Sequence, residues 1–276
     1  MNQRKSLKEL NLLDKFLFDE AMDDPENVKT MLDIILSQNT NLKHPPQTEK
    51  EQRTSTDNRQ IRLDVYAIDE DDVIYEVEAQ KENTHNLLKR SRLYQGIIDS
   101  KLLPPGVVDF NLLNEVLIVL IMPFDLFGYG LYRYTFQMKC EEVPELKLDD
   151  GATRIFLNTR GKHPELVSPE LIELLKYMEH STDEISEACE SKRIQEMHRR
   201  VCQIKASEKA EVKYMQTWEE KILIKQEGER IGLERINRLN QKLIEQGRFD
   251  DLTKATDRKS TRRTPVTRRS RMPSSA

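Results

Sequence analysis

Ile61-Arg62-Leu63-Asp64-Val65-Tyr66-Ala67-Ile68, the run Asp69-Glu70-Asp71-Asp72, and Val73-Ile74-Tyr75-Glu76-Val77-Glu78-Ala79-Gln80 decide the fold. Each outer stretch alternates with period two, the signature of a β-strand with two unlike faces. Ile61, Leu63, Val65 and Ala67 point one way, and Arg62, Asp64, Tyr66 and Ile68 the other. Val73, Tyr75, Val77 and Ala79 share a face, opposite Ile74, Glu76, Glu78 and Gln80. The acidic run between them reads as a solvated turn, so the whole is a β-hairpin. Asp64, Glu76 and Glu78 come to one face only if paired residue numbers sum to an even value. A two-residue turn gives an odd sum. The shared face therefore demands an odd-length loop around Glu70 and Asp71, or a bulge there.

Carboxylates gathered on one patch repel one another and raise each other's pKa unless a cation joins them. A hard dication such as Mg²⁺ answers that need through one or two carboxylates and retained waters. Such an ion lowers the pKa of a bound water and stabilises an in-line phosphoryl displacement.

Outward from the hairpin, Leu7 to Glu20 reads as a helix containing Asp14. Asp24-Pro25 is a helix start, followed by Val28, Met31, Leu32, Ile35 and Leu36 on one apolar face. Residues 43–59 are a polar loop with room for one short strand. A helix is expected from about Asn83 to Leu102, ended by Pro104-Pro105-Gly106. Its stripe is Leu87, Ser91, Tyr94, Ile98 and Leu102, with Lys89, Arg90 and Arg92 beside it. Tyr94 is read as core rather than as a base-stacking ring. Val116 to Met122 reads as a fully buried strand. Tyr132 to Cys140 and Thr153 to Leu157 read as further strands, and Pro169 opens a helix to about His180.

Composition bounds the function. The 276 residues carry 44 Lys and Arg against 48 Asp and Glu, a net charge of −4. Residues 258–276 hold seven basic residues and no acid; removing that +7 from −4 leaves −11 for the rest. A generally basic coat for nucleic acid is excluded, and any such contact is local. The longest apolar run, Val116 to Met122, is far short of the ~20 residues that cross a bilayer. No secretory leader is visible at Met1 to Leu10. Cys140, Cys189 and Cys202 are odd in number and in no metal-binding spacing, and Cys189, Cys202 and His198 read as incidental on a helix. A reduced, cytoplasmic chain is expected. Phosphate-binding glycine loops, GxGxxG, GxSxG, HExxH and CxxC are all missing, so kinase, P-loop, serine-hydrolase and zinc-hydrolase readings lose their supports.

The order of these segments resembles the PD-(D/E)XK nuclease superfamily, and within it the Rpn-type recombination-promoting nucleases, also called PD-(D/E)XK family putative transposases. The matching text is Arg62 to Ala67, then Tyr75-Glu76-Val77-Glu78-Ala79-Gln80, then Lys89 to Gln95. Asp14-Lys15-Phe16-Leu17-Phe18 with Asp24-Pro25-Glu26, Tyr134-Thr135-Phe136 and Ile155 to Thr159 also look like that branch. The likeness runs from about Leu10 to His180. It implies an α/β restriction-endonuclease-like core, with a mixed central sheet flanked by helices, and metal-dependent cleavage of DNA. It implies Asp64 and Glu78 as ligands of Mg²⁺, with Mn²⁺ a substitute. Gln80 falls where the superfamily usually has Lys, a departure that also occurs within the branch, and Asp14 falls where an N-terminal helix supplies an extra acid. Gln offers neutral hydrogen bonds in place of a charge, which bears on rate. Glu76 is read as a solvated neighbour or a group behind the ligands.

Lys89, Arg90 and Arg92 are expected to grip the DNA backbone. The nuclease-like domain is expected over 1–180, a charged helical arm over 181–247 broken near Gly228, and a disordered basic tail over 248–276. The arm reads either as a partner or homo-oligomer helix, through Met215, Trp218, Ile222 and Leu223, or as a solvated charged helix. The tail reads either as a DNA-binding tail or as an altered reading frame. The expected function is a metal-dependent DNA endonuclease associated with recombination or mobile elements. Its rival is a catalytically degenerate relative that binds DNA or protein.

Overall fold

The computed structural model describes residues 5–52 and 61–256. Contacts divide the chain into two units, residues 1–214 and 215–276.

In the first unit, α1 (Lys15–Met22) and α2 (Pro25–Leu36) precede β1 (Gln47–Gln52), β2 (Ile61–Ile68) and β3 (Ile74–Ala79). Next come α3 (Leu87–Asp99), β4 (Val116–Met122), β5 (Arg133–Phe136) and β6 (Ala152–Asn158). α4 (Pro169–Glu179), α5 (Asp183–Ala188) and α6 (Lys192–Lys205) follow. The strands form one six-stranded sheet in the order β1-β2-β3-β4-β6-β5. It is mixed: β3, β4 and β6 run parallel, and the β1–β2, β2–β3 and β5–β6 pairs are antiparallel. Parallel neighbours cannot be joined by a tight turn, which is why α3 must cross the sheet between β3 and β4.

Both faces are covered, so the central strands read as continuous apolar text. Val65, Ala67, Tyr75, Val77, Val119, Ile121, Ile155 and Leu157 lie in one core with residues of α1, α2, α4 and α6. Tyr66, Ile74, Ile118, Leu120, Met122 and Phe156 lie in the other, with Leu87, Tyr94, Ile97 and Ile98 of α3. α2 shows the local logic. Asp24 accepts from the Glu26 N–H at 2.9 Å, Pro25 opens the first turn, and Val28, Met31, Leu32 and Ile35 are wholly buried. Each such side chain contributes about 1.5–3 kcal/mol.

Three expectations are corrected. The first compact unit runs past residue 180, because Ile194, Met197 and Val201 of α6 are buried in the same core as α1 and α2. The expected helix from Leu7 is a 3-10 turn (Leu7–Glu9) and then α1, with Asp14 at the N-cap position between them. The acidic turn is only partly solvated. Asp69 is buried; its Oδ1 accepts from the N–H groups of Asp71 (3.0 Å) and Val73 (2.9 Å), and its Oδ2 from the Tyr75 hydroxyl (2.6 Å). Asp72 turns left-handed at φ 62°, closing a three-residue loop between Asp69 and Val73. Asp69→Ala should destabilise the protein by about 2–3 kcal/mol in denaturant unfolding, because it strands these donors. A change within 0.5 kcal/mol would deny Asp69 that role.

The second unit holds most of α7 (Glu208–Glu245), together with α8 (Phe249–Thr256). The expected break at Gly228 is not there. A helical glycine costs only about 1 kcal/mol against alanine, and ion pairs such as Arg230–Glu227 (2.6 Å) support the surrounding turns. The helix runs on to Glu245 and is closed just beyond it by Gly247, whose φ of 68° suits a residue without Cβ. Residues 249–256 are helical where a disordered tail was expected. The rest of that tail, including Arg258 to Arg271, lies outside the described residues. Among the described residues no helix is long and apolar enough to cross a membrane.

Candidate active site

The β2–β3 register has the even parity that a shared face requires, but its paired residues stop short of Asp64 and Glu78. Val65 pairs with Val77, Tyr66 with Glu76 and Ile68 with Ile74, an even sum throughout. Beyond Val65–Val77 the two strands part. β3 stays with β4, pairing Glu78 with Leu120 and Ala79 with Ile121, while β2 stays with β1, pairing Leu63 with Lys50. Asp64 and Glu78 therefore stand at a fork in the sheet. The alternation of β2 also fails there. Leu63 lies in the α3-side core and not with Val65 and Ala67, so the expected common face of these three is corrected. Released from the ladder to β3, Asp64 reaches α1, where Lys15 Nζ donates to its Oδ1.

Three carboxylates are buried at the fork: Glu76 is 0% exposed, Asp64 5% and Glu78 8%. Lys15 also reaches Asp19 Oδ2 (3.1 Å) and Glu49 Oε1 (3.9 Å). Arg90 of α3 lies on the other flank. Its Nη2 donates to Glu78 Oε1 and to Gln80 Oε1, each at 2.5 Å, and its guanidinium carbon sits 5.8 Å from the centre of the Tyr94 ring. The Gln80 amide nitrogen donates to the Glu82 carbonyl at 2.5 Å, which fixes its oxygen toward Arg90. Both oxygens of Glu76 and the Oε2 of Glu78 are buried and make no hydrogen bond of good geometry among the described residues, although the Asp64 backbone N–H lies near enough to Glu76 to favour its charged form slightly.

These environments disfavour ionisation. Burial, and then the charges of Glu78 and Asp64, push Glu76 well above the ordinary carboxylate range. Burial lifts Glu78 to about 7 against the opposing pull of Arg90. Burial likewise lifts Asp19 to about 7 and raises Asp64, with Lys15 opposing both. Burial disfavours the Lys15 cation, but the charges of Asp64 and Asp19 outweigh that and raise it.

Comparison with protein-family models, with curated proteins and with solved structures finds no match. The site stands on its own geometry.

The fork is rich in carboxylates, but among the described residues no three of them bring their ligand atoms within 4.8 Å of one another. Asp19, Asp64, Glu76 and Glu78 face two basic side chains, Lys15 and Arg90, so the cluster is acid-rich when ionised. The carboxylate oxygens without a well-formed hydrogen bond are donors of the type Mg²⁺ and Mn²⁺ prefer. No three of Asp14, Asp19, Asp64, Glu76 and Glu78 form a set with ligand atoms mutually within 4.8 Å, so the expected ligand set is not assembled. Asp14 instead accepts from Lys81 Nζ and from the Asn11 N–H at 3.0 Å. Lys81, one residue past Gln80, thus points to the N-terminus of α1 rather than to Glu78. Lys89 and Arg92 are exposed on α3, whereas Arg90 turns inward to Glu78. Tyr94 is buried in the core of the α3 face.

Sequence reasoning missed Lys15 and Asp19. Their i,i+4 spacing on one helix was the available signal. It also set Glu76 at the edge of the site, whereas it is the most buried acid there.

Proposed function

We propose that the chain is a Mg²⁺-dependent DNA endonuclease with a restriction-endonuclease-like, PD-(D/E)XK core of the Rpn type, serving recombination or mobile-element processes. The observation that carries the reading is the buried carboxylate cluster at the sheet fork, with acceptor oxygens lacking a well-formed hydrogen bond and a helix bearing exposed Lys89 and Arg92 alongside.

Asp64 and Glu78 would hold the ion. When bound, Mg²⁺, or Mn²⁺ in its place, supplies an acidified water and charge stabilisation for phosphodiester cleavage. Lys15 and Arg90 keep the carboxylates from repelling one another before the ion arrives. They also provide, close to the reacting phosphate, the positive charge that neutral Gln80 does not. Gln80 positions Arg90 through its amide oxygen. Asp14, through Lys81, anchors the start of α1 and so the placement of Lys15.

Lys89 and Arg92 would position the duplex backbone. Replacing both with Ala should weaken DNA binding alike for all sequences and flatten the dependence of log K on log salt by about 0.9 per lost phosphate contact. An unchanged slope, measured by fluorescence anisotropy, would remove them from the interface.

A second reading has its own support. Lys15 and Arg90 already engage Asp64 and Glu78, an arrangement a non-catalytic DNA- or protein-binding relative could keep. In either case, the exposed apolar residues of α7, among them Leu223, Ile224 and Ile236, suit a homo-oligomer arm. Nicking of supercoiled plasmid with Mg²⁺ or Mn²⁺, run beside Asp64→Asn, separates the two. Equal activity of the two proteins places the chemistry elsewhere, and no divalent-dependent nicking at all favours the binding module.

A further inference from the structure

We propose that Asp183, His198 and Cys202 form a second metal site, for a transition ion of the zinc type. It is separate from the carboxylates of the sheet and does not rest on the nuclease reading. The three residues show no motif in sequence because only His198 and Cys202 share a helix, at i,i+4 on α6, while Asp183 comes from α5. Folding brings them together. His198 Nε2 lies 2.8 Å from Asp183 Oδ1 and 3.3 Å from Cys202 Sγ, and Sγ lies 3.9 Å from Oδ1. They are the one group of three or more His, Cys, Asp or Glu among the described residues whose ligand atoms lie mutually within 4.8 Å.

The direction of convergence separates a ligand set from a catalytic thiol. In a thiol–imidazole–carboxylate triad the thiol faces one ring nitrogen and the carboxylate orients the other. Here Asp183 and Cys202 both approach Nε2 most closely, and Nδ1 is taken by the buried Tyr177 hydroxyl at 3.0 Å. An imidazole held through one nitrogen, with a carboxylate and a sulfur gathered at the other, is how metal-binding histidines are oriented. The Tyr177 hydroxyl can donate or accept, so it can hold either tautomer. On metal binding Nε2 becomes the ligand, Nδ1–H donates to Tyr177, and the Cys202 thiol proton leaves to solvent.

The spacing is close to what the ion requires. Around tetrahedral zinc, with bonds of ~2.0–2.3 Å, ligand atoms sit about 3.3–3.6 Å apart. Cys202 and His198 already meet that distance. The Asp183–His198 pair must open by about half an ångström, and Asp183 is exposed on the first turn of its helix. A cleft of about 430 Å³, lined in part by Lys8, Thr182 and Lys205, adjoins the three and leaves room for a water or another ligand in the fourth position. Lys205 donates to the Ser181 carbonyl at 2.8 Å, an ordered place for its charge on backbone rather than on the ligands. Thiolate with imidazole and carboxylate suits Zn²⁺, Co²⁺ or Ni²⁺ and not Mg²⁺. The ion would tie α5 to α6 and, through Tyr177, to α4.

The test uses the full chain, stripped with chelator and titrated with Co²⁺. One equivalent should bind with a thiolate-to-cobalt charge-transfer band in the near ultraviolet, and Zn²⁺ should displace it. Cys202→Ser should abolish the band. Cys140→Ser and Asp64→Asn should leave it intact, since an all-oxygen site gives no such signal. Asp183→Asn should weaken Co²⁺ affinity by about tenfold or more, and Tyr177→Phe by about 10–100-fold. Should Cys202→Ser fail to fold by circular dichroism, the exposed Asp183→Asn substitution carries the test. A wild-type chain without the band, a band surviving in Cys202→Ser, or unchanged affinity in Asp183→Asn overturns the site.

Discussion

Asp64→Asn and Glu78→Gln should each lower divalent-dependent plasmid cleavage by on the order of 10²–10³-fold or more, while each raises the stability of the metal-free protein. The two effects have opposite signs for one physical reason. A carboxylate that binds a cation must be ionised, and burial at the fork penalises that form. Asn and Gln keep the shape and most of the hydrogen-bonding capacity and drop the charge. They remove the ligand and the penalty together. A carboxylate placed for stability alone behaves otherwise: its loss destabilises, and cleavage falls only in step with the folded fraction. Plasmid nicking and thermal unfolding of the same preparations, in chelator for the unfolding, read both effects. Lowered stability with unchanged cleavage would assign these residues a structural role.

The strand pattern was legible because period two survives wherever a strand has one apolar face. Ile61 to Ile68 and Val73 to Gln80 gave the hairpin, and the parity of residue numbers gave its loop. What was illegible lies at breaks in that regularity. Nothing in Leu63-Asp64-Val65 announces that β2 leaves β3 at Asp64, because the departure is set by which neighbour each strand keeps. Arg90 reads like Lys89 and Arg92, three cations on one helix. Helix phase and one long side chain take it inward to Glu78 and leave its neighbours in solvent. Asp14 reads as a helix residue because the apolar spacing from Leu7 runs through it. The chain instead interrupts the helix there, putting Lys15 rather than Asp14 next to Asp64. Tertiary partnerships of charged side chains carry no local period, so a sequence names the types and leaves the pairs open.

Metal-free protein should be most stable in mild acid and lose stability as pH rises from about 4.5 to about 7 and beyond. The sign follows from linkage. Glu78 and Asp19 have folded-state values of about 7, against unfolded values near 4.3 and 3.9. Between the two values the folded state still holds protons that the unfolded chain has released, so stability falls with pH. Below the unfolded values both states are protonated and the slope vanishes. Above about 7 these two groups are ionised in both states and contribute no further slope, while Glu76, raised well above the ordinary range, extends the decline. The groups share Lys15 and Arg90, with Asp64 and Tyr94 also in the same field, so their losses are coupled and do not add. Two further results follow if the cluster is a cation site. Mg²⁺ should restore stability at pH 8 and do little at pH 5, where protons already occupy the oxygens. The double substitution Glu76→Gln, Glu78→Gln should flatten the profile and abolish the Mg²⁺ response. Thermal unfolding at pH 5 and pH 8, with chelator or with Mg²⁺, gives the comparison. Equal melting temperatures at both pH values in chelator would mean that the carboxylates carry their charge at the fork without penalty. The driving force for taking up a cation there would then be gone.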